Sequence, residues 1–266
     1  QTKLENNPNF SLLENLRFET GEEENSREFV ERLVAETGAE IYVFEAFAVS
    51  HREHASVVQI PKLLSTYTGF RFQKELENLD KVLSNLKFQI SIRQLADKTT
   101  TQNSKLSVLM VGGAKGESKI PLITKMAEKF DVILIGGNLP IETQISKLKS
   151  QNYISKLKFA ELRDDGLDIT EESARGFAEI IAKASMVVWN GPMGKFEEFS
   201  HEQGTKIVAE AVNETEAFTV VGGGDTEAAL TKFNLEKGMD WISSGGGAML
   251  TYLAEGTVAF LEAIRK

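Results

Sequence analysis

Apolar runs that end in glycine recur along the second half of the sequence. They are VLMVGG (108–113), VILIGG (132–137), MVVWNGPMG (186–194), FTVVGGGD (218–225) and WISSGGG (241–247). Each short run is typical of a buried strand, and the glycines after it permit a tight turn. Segments with helical spacing of apolar residues lie between most of the runs: 118–130, 141–149, 171–183, 205–212 and 226–233. Alternating strands and helices predict an α/β fold, with a parallel Rossmann-like sheet and helices on both faces.

The first part of the chain has a different pattern. Residues 11–18 and 40–47 are predicted as strands, and 26–37 as a helix that Gly38 terminates. The acidic run 22–24 is expected in a solvated loop or in the first turn of a helix. A long helix is predicted over 69–86, where apolar residues form one stripe. We therefore expect a second, smaller α/β lobe before this helix.

Charge and composition exclude several classes of function. The net charge of −9 argues against broad binding of nucleic acids or anionic membranes. No apolar run reaches the ~18 residues that a membrane helix needs. The sequence has no cysteine, which excludes disulfides, thiol nucleophiles and cysteine–zinc sites. These features predict a cytoplasmic protein, and we expect a monomer.

The stretch 107–119, SVLMVGGAKGESK, indicates what a strand end of this kind could bind. Its glycines let backbone N–H groups approach a ligand, and a helix that begins after them favours an anion. Lys115 and Lys119 are four residues apart, so on a helix they share one face. Taken alone, the stretch is equally typical of an ordinary turn with two solvated lysines. Five such ends on one edge of a parallel sheet favour a phosphate-rich ligand.

The standard nucleotide-binding motifs are absent. The sequence contains no P-loop, no G-x-G-x-x-G after a strand, and no protein-kinase H-R-D and D-F-G set. The sequence therefore lacks the glycine fingerprint of a nicotinamide-dependent dehydrogenase, although alternating strands and helices would suit such an enzyme. His51 and His54 have the spacing of a metal pair, but no third ligand is evident.

Two carboxylates at strand ends have both a functional and a structural interpretation. Asp225 follows three glycines and could hold Mg²⁺ against nucleotide phosphates, since Mg²⁺ prefers one or two carboxylates plus phosphate oxygens. Alternatively, Asp225 or Thr226 is the N-cap of the following helix. Glu197 follows the NGPMGKF turn, where it could accept hydrogen bonds from ribose hydroxyl groups or be an ordinary surface glutamate.

Cations of the first segment could form the other half of a site. Arg17 follows a predicted strand, and His51 and Arg52 lie in a loop after the next one. Together they could clamp a phosphate and a carboxylate through charge-assisted hydrogen bonds. By themselves they are more typical of ordinary surface residues.

Seven segments in order resemble phosphoglycerate kinase. They are LLENLRF (12–18), EAFAVSHREHAS (45–56), GF-x-x-x-KELE (69–77), GGAK-x-x-x-KI (112–120), VVWNGPMG-x-FE (187–197), VVGGGDT (220–226) and SSGGGA (243–248). The resemblance runs from residue 11 nearly to the end of the chain, and WNGPMG and GGGDT are very specific together.

The resemblance implies a glycolytic phosphotransferase with a carboxyl-group acceptor. Such an enzyme transfers a phosphoryl group between 1,3-bisphosphoglycerate and ADP, giving 3-phosphoglycerate and ATP with Mg²⁺. It implies that Lys115, Gly245, Gly246 and Gly247 act on the transferring group, that Arg17, His51 and Arg52 bind the glycerate, and that Gly113, Ala114, Lys119, Gly166, Pro192, Glu197, Gly223, Gly224, Asp225 and Thr226 bind the nucleotide. Asp225 would also orient the Mg²⁺.

The chain is shorter than members of this family. We expect residues 1–75 to be a truncated glycerate-binding lobe and 76–254 the nucleotide-binding lobe, after an interdomain helix that starts near residue 70. Residues 255–266 are expected to return to the first lobe. Several of the family's substrate-gripping residues have no counterpart here, so a partner chain that completes the lobe is one expectation. A nucleotide-binding module without kinase activity is the alternative function.

Overall fold

The computed structural model describes residues 11–95, 106–113, 116–137 and 153–265. Within them, the strands are Ile41–Phe44 (β1), Ser65–Thr68 (β2), Leu106–Val111 (β3), Val132–Ile135 (β4), Leu157–Phe159 (β5), Ala184–Asn190 (β6), Phe218–Gly222 (β7) and Trp241–Ser243 (β8). The α-helices are Thr20–Glu23 (α1), Arg27–Thr37 (α2), Ala55–Val58 (α3), Phe70–Leu95 (α4), Gly116–Ala127 (α5), Glu171–Ile181 (α6), Gln203–Glu214 (α7), Gly224–Phe233 (α8), Gly246–Glu255 (α9) and Ala259–Ile264 (α10).

Six strands form one parallel sheet in the order β5-β4-β3-β6-β7-β8. The register places Val111, Asn190, Gly222 and Ser243 in one row across four neighbouring strands. The glycine-rich turns after these strands therefore emerge at the same edge. This arrangement confirms the predicted α/β fold.

Both faces of the six-stranded sheet are buried, as expected for a parallel sheet. Along β3, Leu109 and Val111 belong to one hydrophobic cluster, whereas Val108 and Met110 belong to the other. Helices α4, α5 and α9 contribute to the first cluster, and α6, α7 and α8 to the second. A continuous run of β-branched and long apolar residues is what such a doubly covered strand requires.

The first lobe, residues 11–69, is built around the two-stranded parallel sheet β1-β2. Its small core contains Phe29, Val30, Ala55 and Ile60. The C-terminal helix α10 packs on this lobe: the ring of Phe260 stacks on Phe44 at a centroid distance of 4.0 Å. The backbone N–H of Phe260 also donates to the Ser50 carbonyl at 3.0 Å. The last helix and the first lobe therefore share one core.

Helix α4 connects the two lobes and extends to Leu95, beyond its predicted end at residue 86. At its beginning, the carboxylate of Glu45 accepts hydrogen bonds from the backbone N–H groups of Arg71 and Phe72, both at 2.9 Å. The fully buried Glu75 accepts from the indole N–H of Trp241 at 2.9 Å and from the hydroxyl of Ser244 at 2.7 Å. The helix is thus attached to the first lobe and to the end of β8.

The structure corrects the predicted start of the chain. A strand over 11–18 is wrong, because Leu16–Phe18 forms a 3-10 helix with the Asn15 side chain as its cap. The predicted strand over 40–47 ends early, since the backbone turns into a second 3-10 helix at Phe47–Val49. Glu22 and Glu23 of the acidic run lie in helix α1 and Glu24 is its C-cap, but Glu22 is buried and accepts from the Ser56 hydroxyl at 2.6 Å.

The remaining predicted elements agree in kind with the structure. Helix α2 has Ser26 as its N-cap and ends at Gly38, which is left-handed with φ of 63°. The helix predicted over 141–149 lies outside the described residues. The pattern did not predict β5 or α9, because three residues are too short for a clear period and α9 is apolar on most of its surface. No helix of the described residues has the length and apolar character to cross a membrane.

Candidate active site

The turns after β3 and β6 are joined by direct backbone contacts. The Gly112 N–H donates to the Asn190 carbonyl at 2.9 Å, and the Gly113 N–H donates to the Pro192 carbonyl at 2.8 Å. The Gly137 N–H, after β4, donates to the Met193 carbonyl at 3.0 Å. Three glycine turns therefore form one hydrogen-bonded platform at the sheet edge.

Two glycines of this platform are required by close backbone approach. A Cβ atom on Gly112 would lie 2.2 Å from the Pro192 carbonyl oxygen. A Cβ atom on Gly191 would lie 2.3 Å from the Gly112 carbonyl oxygen, and Gly191 also has φ of +96°. Backbone atoms cannot yield as a flexible side chain can, so neither position accepts a larger residue without disturbing the turn.

Replacing Gly112 with alanine should lower the free energy of unfolding by about 1 to 3 kcal/mol, because the new methyl group overlaps backbone atoms. Urea unfolding followed by tryptophan fluorescence measures the change. Gly176→Ala is the matched control, since Gly176 is exposed within α6 with no atom within 4 Å of its Cβ position. That variant should gain about 0.5 to 1 kcal/mol from helix propensity. Equal stability of Gly112→Ala and the unmodified chain would show that the turn accepts a methyl group at this position without strain.

A cavity of about 250 Å³ opens above the platform. It is lined by Gly113, Gly137, Gly166, Leu167, Pro192, Gly194, Lys195, Glu197 and Asp225. Five of these nine residues, namely Gly113, Gly166, Pro192, Glu197 and Asp225, were singled out from the sequence as nucleotide contacts. The structure thus brings together residues that are up to 112 positions apart, from Gly113 to Asp225.

Lys119 lies near the start of helix α5, beside the platform. Its ammonium group donates to the Gly112 carbonyl at 2.5 Å. A Cβ atom on Gly113, which lines the cavity, would be 3.5 Å from the same ammonium nitrogen. Lys119 therefore supplies a positive charge next to the cavity. The other two predicted residues of this turn, Ala114 and Lys115, lie outside the described residues.

The turn after β7 begins helix α8. Gly223 has φ of +105° and is the N-cap, with no side-chain capping bond, so an N-cap at Asp225 or Thr226 is wrong. Asp225 is exposed and lies in the first turn of the helix, with its side chain lining the cavity. Thr226 is fully buried, and its hydroxyl accepts from the Gly191 N–H at 2.8 Å. Thr226 thus joins the turns of β6 and β7 from beneath the cavity.

The triple glycine after β8 lies against the first lobe. Added Cβ atoms would be 2.6 Å from the Ala48 Cα at Gly245 and 3.1 Å from the imidazole of His51 at Gly247. At Gly246 the added atom would be 2.2 Å from the side-chain amide of Asn190, which donates to the Gly222 carbonyl at 2.7 Å. The start of α9 is therefore in contact with the His51 loop on one side and the nucleotide-side turns on the other.

The predicted cations of the first lobe have different environments. His51 is half-buried, and this burial lowers its pKa, as do the positive charges of Arg52 and His54. Arg17 and Arg52 are exposed, and within the described part of the chain their guanidinium groups make no hydrogen bond or ion pair. His54 does not pair with His51 as a metal site, since its Nδ1 lies 3.8 Å from the buried Glu22 carboxylate.

Comparison with known proteins decides which family this arrangement belongs to. A model of the family "Phosphoglycerate kinase" matches residues 2–145 and 138–256. The chain belongs to the phosphoglycerate kinase family. The resemblance predicted from its seven motifs is confirmed.

Individual phosphoglycerate kinases match over nearly the whole chain. The one from Thermomicrobium roseum is 32% identical over 286 residues, which is 91% of this chain and 68% of the relative. The one from Borrelia turicatae is 33% identical over 297 residues, 95% of this chain and 70% of the relative. The structure of phosphoglycerate kinase from Coxiella burnetii has a TM-score of 0.70 at 27% identity, covering 94% of this chain and 71% of that one. The Pyrococcus horikoshii enzyme, at 24% identity and a TM-score of 0.73, shares the fold.

Four cavity residues were not predicted as part of a phosphoglycerate kinase site. Gly137 and Gly194 belong to glycine-rich turns that the sequence had marked as strand ends, so a signal was present. Leu167 and Lys195 carry no such signal. They reach the cavity because the Lys195 N–H donates to the Leu167 carbonyl at 2.8 Å, which aligns two separate loops.

A buried carboxylate supports one of these loops. Asp168 is 1% exposed and accepts hydrogen bonds from the N–H groups of Ile169 and Gly204, both at 2.9 Å. A Cβ atom on Gly194 would lie 2.0 Å from an oxygen of the same carboxylate. Burial raises the pKa of Asp168, and the two backbone donors oppose that rise. Asp168 therefore positions Gly194 at the cavity wall.

Proposed function

We propose that this chain catalyses phosphoryl transfer between the acyl phosphate of 1,3-bisphosphoglycerate and ADP, giving 3-phosphoglycerate and ATP. The observation that supports it most is the cavity at the sheet edge, where five motif residues of a phosphoglycerate kinase family member converge. Parallel sheets bind their ligands in this position, beyond the carboxyl ends of the strands.

The nucleotide binds in the cavity between the turns of β3, β6 and β7 in this proposal. Gly113, Gly166 and Pro192 form its walls, and the exposed carboxylate of Glu197 accepts hydrogen bonds from the ribose hydroxyl groups. The phosphates extend toward Lys119 and the start of α8, where Gly223 and Gly224 leave the backbone uncovered. A Cβ atom on Gly224 would meet no atom within 4 Å, so this position has room for a ligand.

A magnesium ion fits the donor set at the start of α8. Asp225 presents an exposed carboxylate to the cavity, and Mg²⁺ is typically held by one or two carboxylates together with substrate phosphates. Asp225 would hold the ion, which when bound neutralises charge on the nucleotide phosphates. No group of three or more acidic, histidine or cysteine side chains that could hold a metal occurs among the described residues, so phosphate oxygens would complete the coordination.

Glycerate binding is assigned to the first lobe. Arg17 and Arg52 supply exposed guanidinium groups that suit a phosphate and a carboxylate, and His51 lies 3.1 Å from the Cβ position of Gly247. Gly245, Gly246 and Gly247 then face the transferring group between the two lobes. Chemistry of this type needs positioned cations and backbone donors and no protein nucleophile.

The decisive experiment is a coupled assay for ATP formation from 1,3-bisphosphoglycerate and ADP with the purified chain. Titration calorimetry with ADP and with 3-phosphoglycerate separates the two half-sites. Turnover together with affinity for both ligands supports the proposal. Affinity for ADP without turnover and without affinity for 3-phosphoglycerate would instead identify a nucleotide-binding module without kinase activity.

Replacing Asp225 with alanine should weaken Mg-ADP binding about tenfold and change the affinity for metal-free ADP much less. The reason is that the carboxylate contacts the ion and not the nucleotide itself. Calorimetric titrations of both proteins, with Mg²⁺ and with a chelator, measure the difference. If Mg²⁺ has the same effect on the affinity of both proteins, Asp225 does not hold the metal.

A cytoplasmic monomer is part of the same proposal. The absence of cysteine suits a reducing compartment. Exposed apolar side chains on β1 and β2, namely Ile41, Val43 and Tyr67, are the surface that a compensating partner chain would cover. Light scattering of the purified chain distinguishes the two: a mass of one chain supports the monomer, and a larger mass supports the partner.

A further inference from the structure

Helix α8 contacts the nucleotide cavity at its first turn and a loop of the cavity wall at its last turn. Asp225 lies in the first turn and lines the cavity. Lys232 lies in the last turn, and its distance of seven residues from Asp225 is close to two turns of an α-helix. The two side chains therefore leave the helix on nearly the same face. Both ends of α8 are thus directed toward the same site.

The ammonium group of Lys232 reaches the loop that follows β6. It donates to the Phe196 carbonyl at 2.6 Å and lies 2.5 Å from the carboxylate of Glu202, the N-cap residue of α7. A lysine in the last turn of a helix ordinarily interacts with the free carbonyl groups of its own helix. Lys232 instead joins α8 to a separate loop. The Glu202 side chain is 12% exposed, so water competes little for this contact.

The Phe196 carbonyl is part of the peptide group that leads into Glu197. A peptide group is planar, so a hydrogen bond that fixes this carbonyl also fixes the direction of the Glu197 N–H. The Phe196 side chain before this peptide is buried, whereas Glu197 after it is exposed and lines the cavity. The contact with Lys232 therefore acts directly before the residue that faces the ligand.

The Glu197 side chain depends on its backbone for its direction. Within the described part of the chain its carboxylate makes no hydrogen bond. Two backbone bonds shape the turn, since the Phe196 N–H donates to the Gly194 carbonyl at 2.9 Å and the Glu198 N–H donates to the Lys195 carbonyl at 3.0 Å. Neither of these two bonds involves the peptide group between Phe196 and Glu197. The lysine contact of the Phe196 carbonyl is therefore what orients that peptide.

We propose that Lys232 is a positioning residue for recognition of the ribose: its ammonium group fixes the peptide before Glu197 and so directs the Glu197 carboxylate toward the ribose hydroxyl groups. The inference rests on the proposed function, in which Glu197 accepts hydrogen bonds from these hydroxyl groups. Lys232 is not among the described residues that line the cavity. Loss of its ammonium group should therefore weaken only the part of the affinity that the hydroxyl groups supply.

The test compares ADP with 2′,3′-dideoxy-ADP, which lacks both ribose hydroxyl groups, in calorimetric titrations of the full chain. The unmodified chain should prefer ADP about tenfold, the usual effect of hydrogen bonds to a charged acceptor. Glu197→Gln and Lys232→Met should each lower this preference to about threefold, because the acceptor is weakened or misplaced. Methionine keeps an unbranched apolar stem but has no ammonium group. The affinity for 2′,3′-dideoxy-ADP should not change.

Lys129→Met is the matched control. The Lys129 ammonium group also donates to backbone carbonyls, those of Leu253 at 2.8 Å and Ala254 at 2.7 Å, but these belong to the end of α9 and not to the cavity wall. This variant should keep the full preference for ADP even if it is less stable. The double variant of Lys232→Met and Glu197→Gln should have the same preference as Glu197→Gln, because two changes that act on one contact do not add.

A second variant and a second measurement keep the test decisive. Glu202→Gln leaves Lys232 in place but removes the charge beside its ammonium group, so the preference for ADP should fall about twofold. Hydrogen exchange of segment 194–198 needs no ligand. It should be faster in Lys232→Met than in the unmodified chain and unchanged in Lys129→Met.

The possible failures are distinguishable. An unchanged preference in Lys232→Met, or a double variant with less preference than Glu197→Gln, would overturn the positioning role. If Lys232→Met does not fold, an unchanged preference in Glu202→Gln overturns it instead. If the unmodified chain binds ADP and 2′,3′-dideoxy-ADP equally, or binds neither, the ribose contact of the proposed function fails. The exchange of segment 194–198 still decides whether Lys232 holds the turn.

Discussion

Replacing Lys115 with alanine should lower turnover about 100-fold, which is the usual loss when one group that stabilises developing charge is removed. Lys115 follows Gly113, a cavity residue, by two positions in the GGAK motif, although it lies outside the described residues. We expect the affinity for Mg-ADP to change little, because a charge that matters most in the transition state contributes to kcat and not to ground-state binding. Steady-state kinetics and calorimetry on the same preparation measure both quantities.

Lys119→Ala provides the comparison. Its ammonium group lies beside the Gly112 carbonyl and the cavity, so its removal should weaken ADP binding more than it lowers turnover at saturating ADP. The two lysines are thus expected to give opposite patterns in kcat and KM. Equal losses of turnover and affinity in Lys115→Ala would contradict a role of this lysine that is specific to the transition state.

Replacing Phe260 with alanine should lower the free energy of unfolding by about 3 to 5 kcal/mol. The ring is fully buried, stacks on Phe44 at 4.0 Å, and meets Phe72 edge-on at 5.2 Å. Its removal leaves a cavity where α10, β1 and α4 meet, and the aromatic pairs are lost as well. Urea unfolding measures the total change, and hydrogen exchange of β1 and α3 reports whether the first lobe opens before the six-stranded sheet.

Phe88→Ala is the matched control for this prediction. Phe88 is also on a lobe-connecting element, helix α4, but is 66% exposed, so its truncation should change stability by less than about 0.5 kcal/mol. Similar losses for the two variants would mean that Phe260 contributes no special packing. A large loss for Phe260→Ala alone would show that the last helix holds the first lobe in place.

The close approach of His51 and Gly247 joins the first lobe to the start of α9. The lobe has a small core of its own, but its Phe44 and Phe47 belong to the same hydrophobic cluster as the six-stranded sheet. A lobe attached in this way does not need to fold alone. The His51 loop is consequently held against the start of α9, where the two proposed half-sites meet.

Local sequence patterns are enough to predict the architecture of the sheet lobe and its functional edge. Apolar runs that end in glycine are a local pattern, and they predicted five strands of one parallel sheet and the edge where a ligand would bind. Gly113, Pro192 and Asp225 could be selected in the same way, because their turns carry motifs that the phosphoglycerate kinase family shares. Local periodicity and turn chemistry contain this information without reference to distant residues.

Which side chains those turns bring into contact depends on tertiary packing and could not be predicted from local patterns. Nothing near Thr226 in the sequence indicates that its hydroxyl is buried against the Gly191 N–H, and nothing near His201 indicates that its Nε2 atom faces the Asp165 carboxylate. The burial of Glu22 by Ser56 is a further case. Each of these contacts joins segments that are about 35 residues apart or come from different loops. Their geometry depends on how helices and strands pack, which no local pattern specifies.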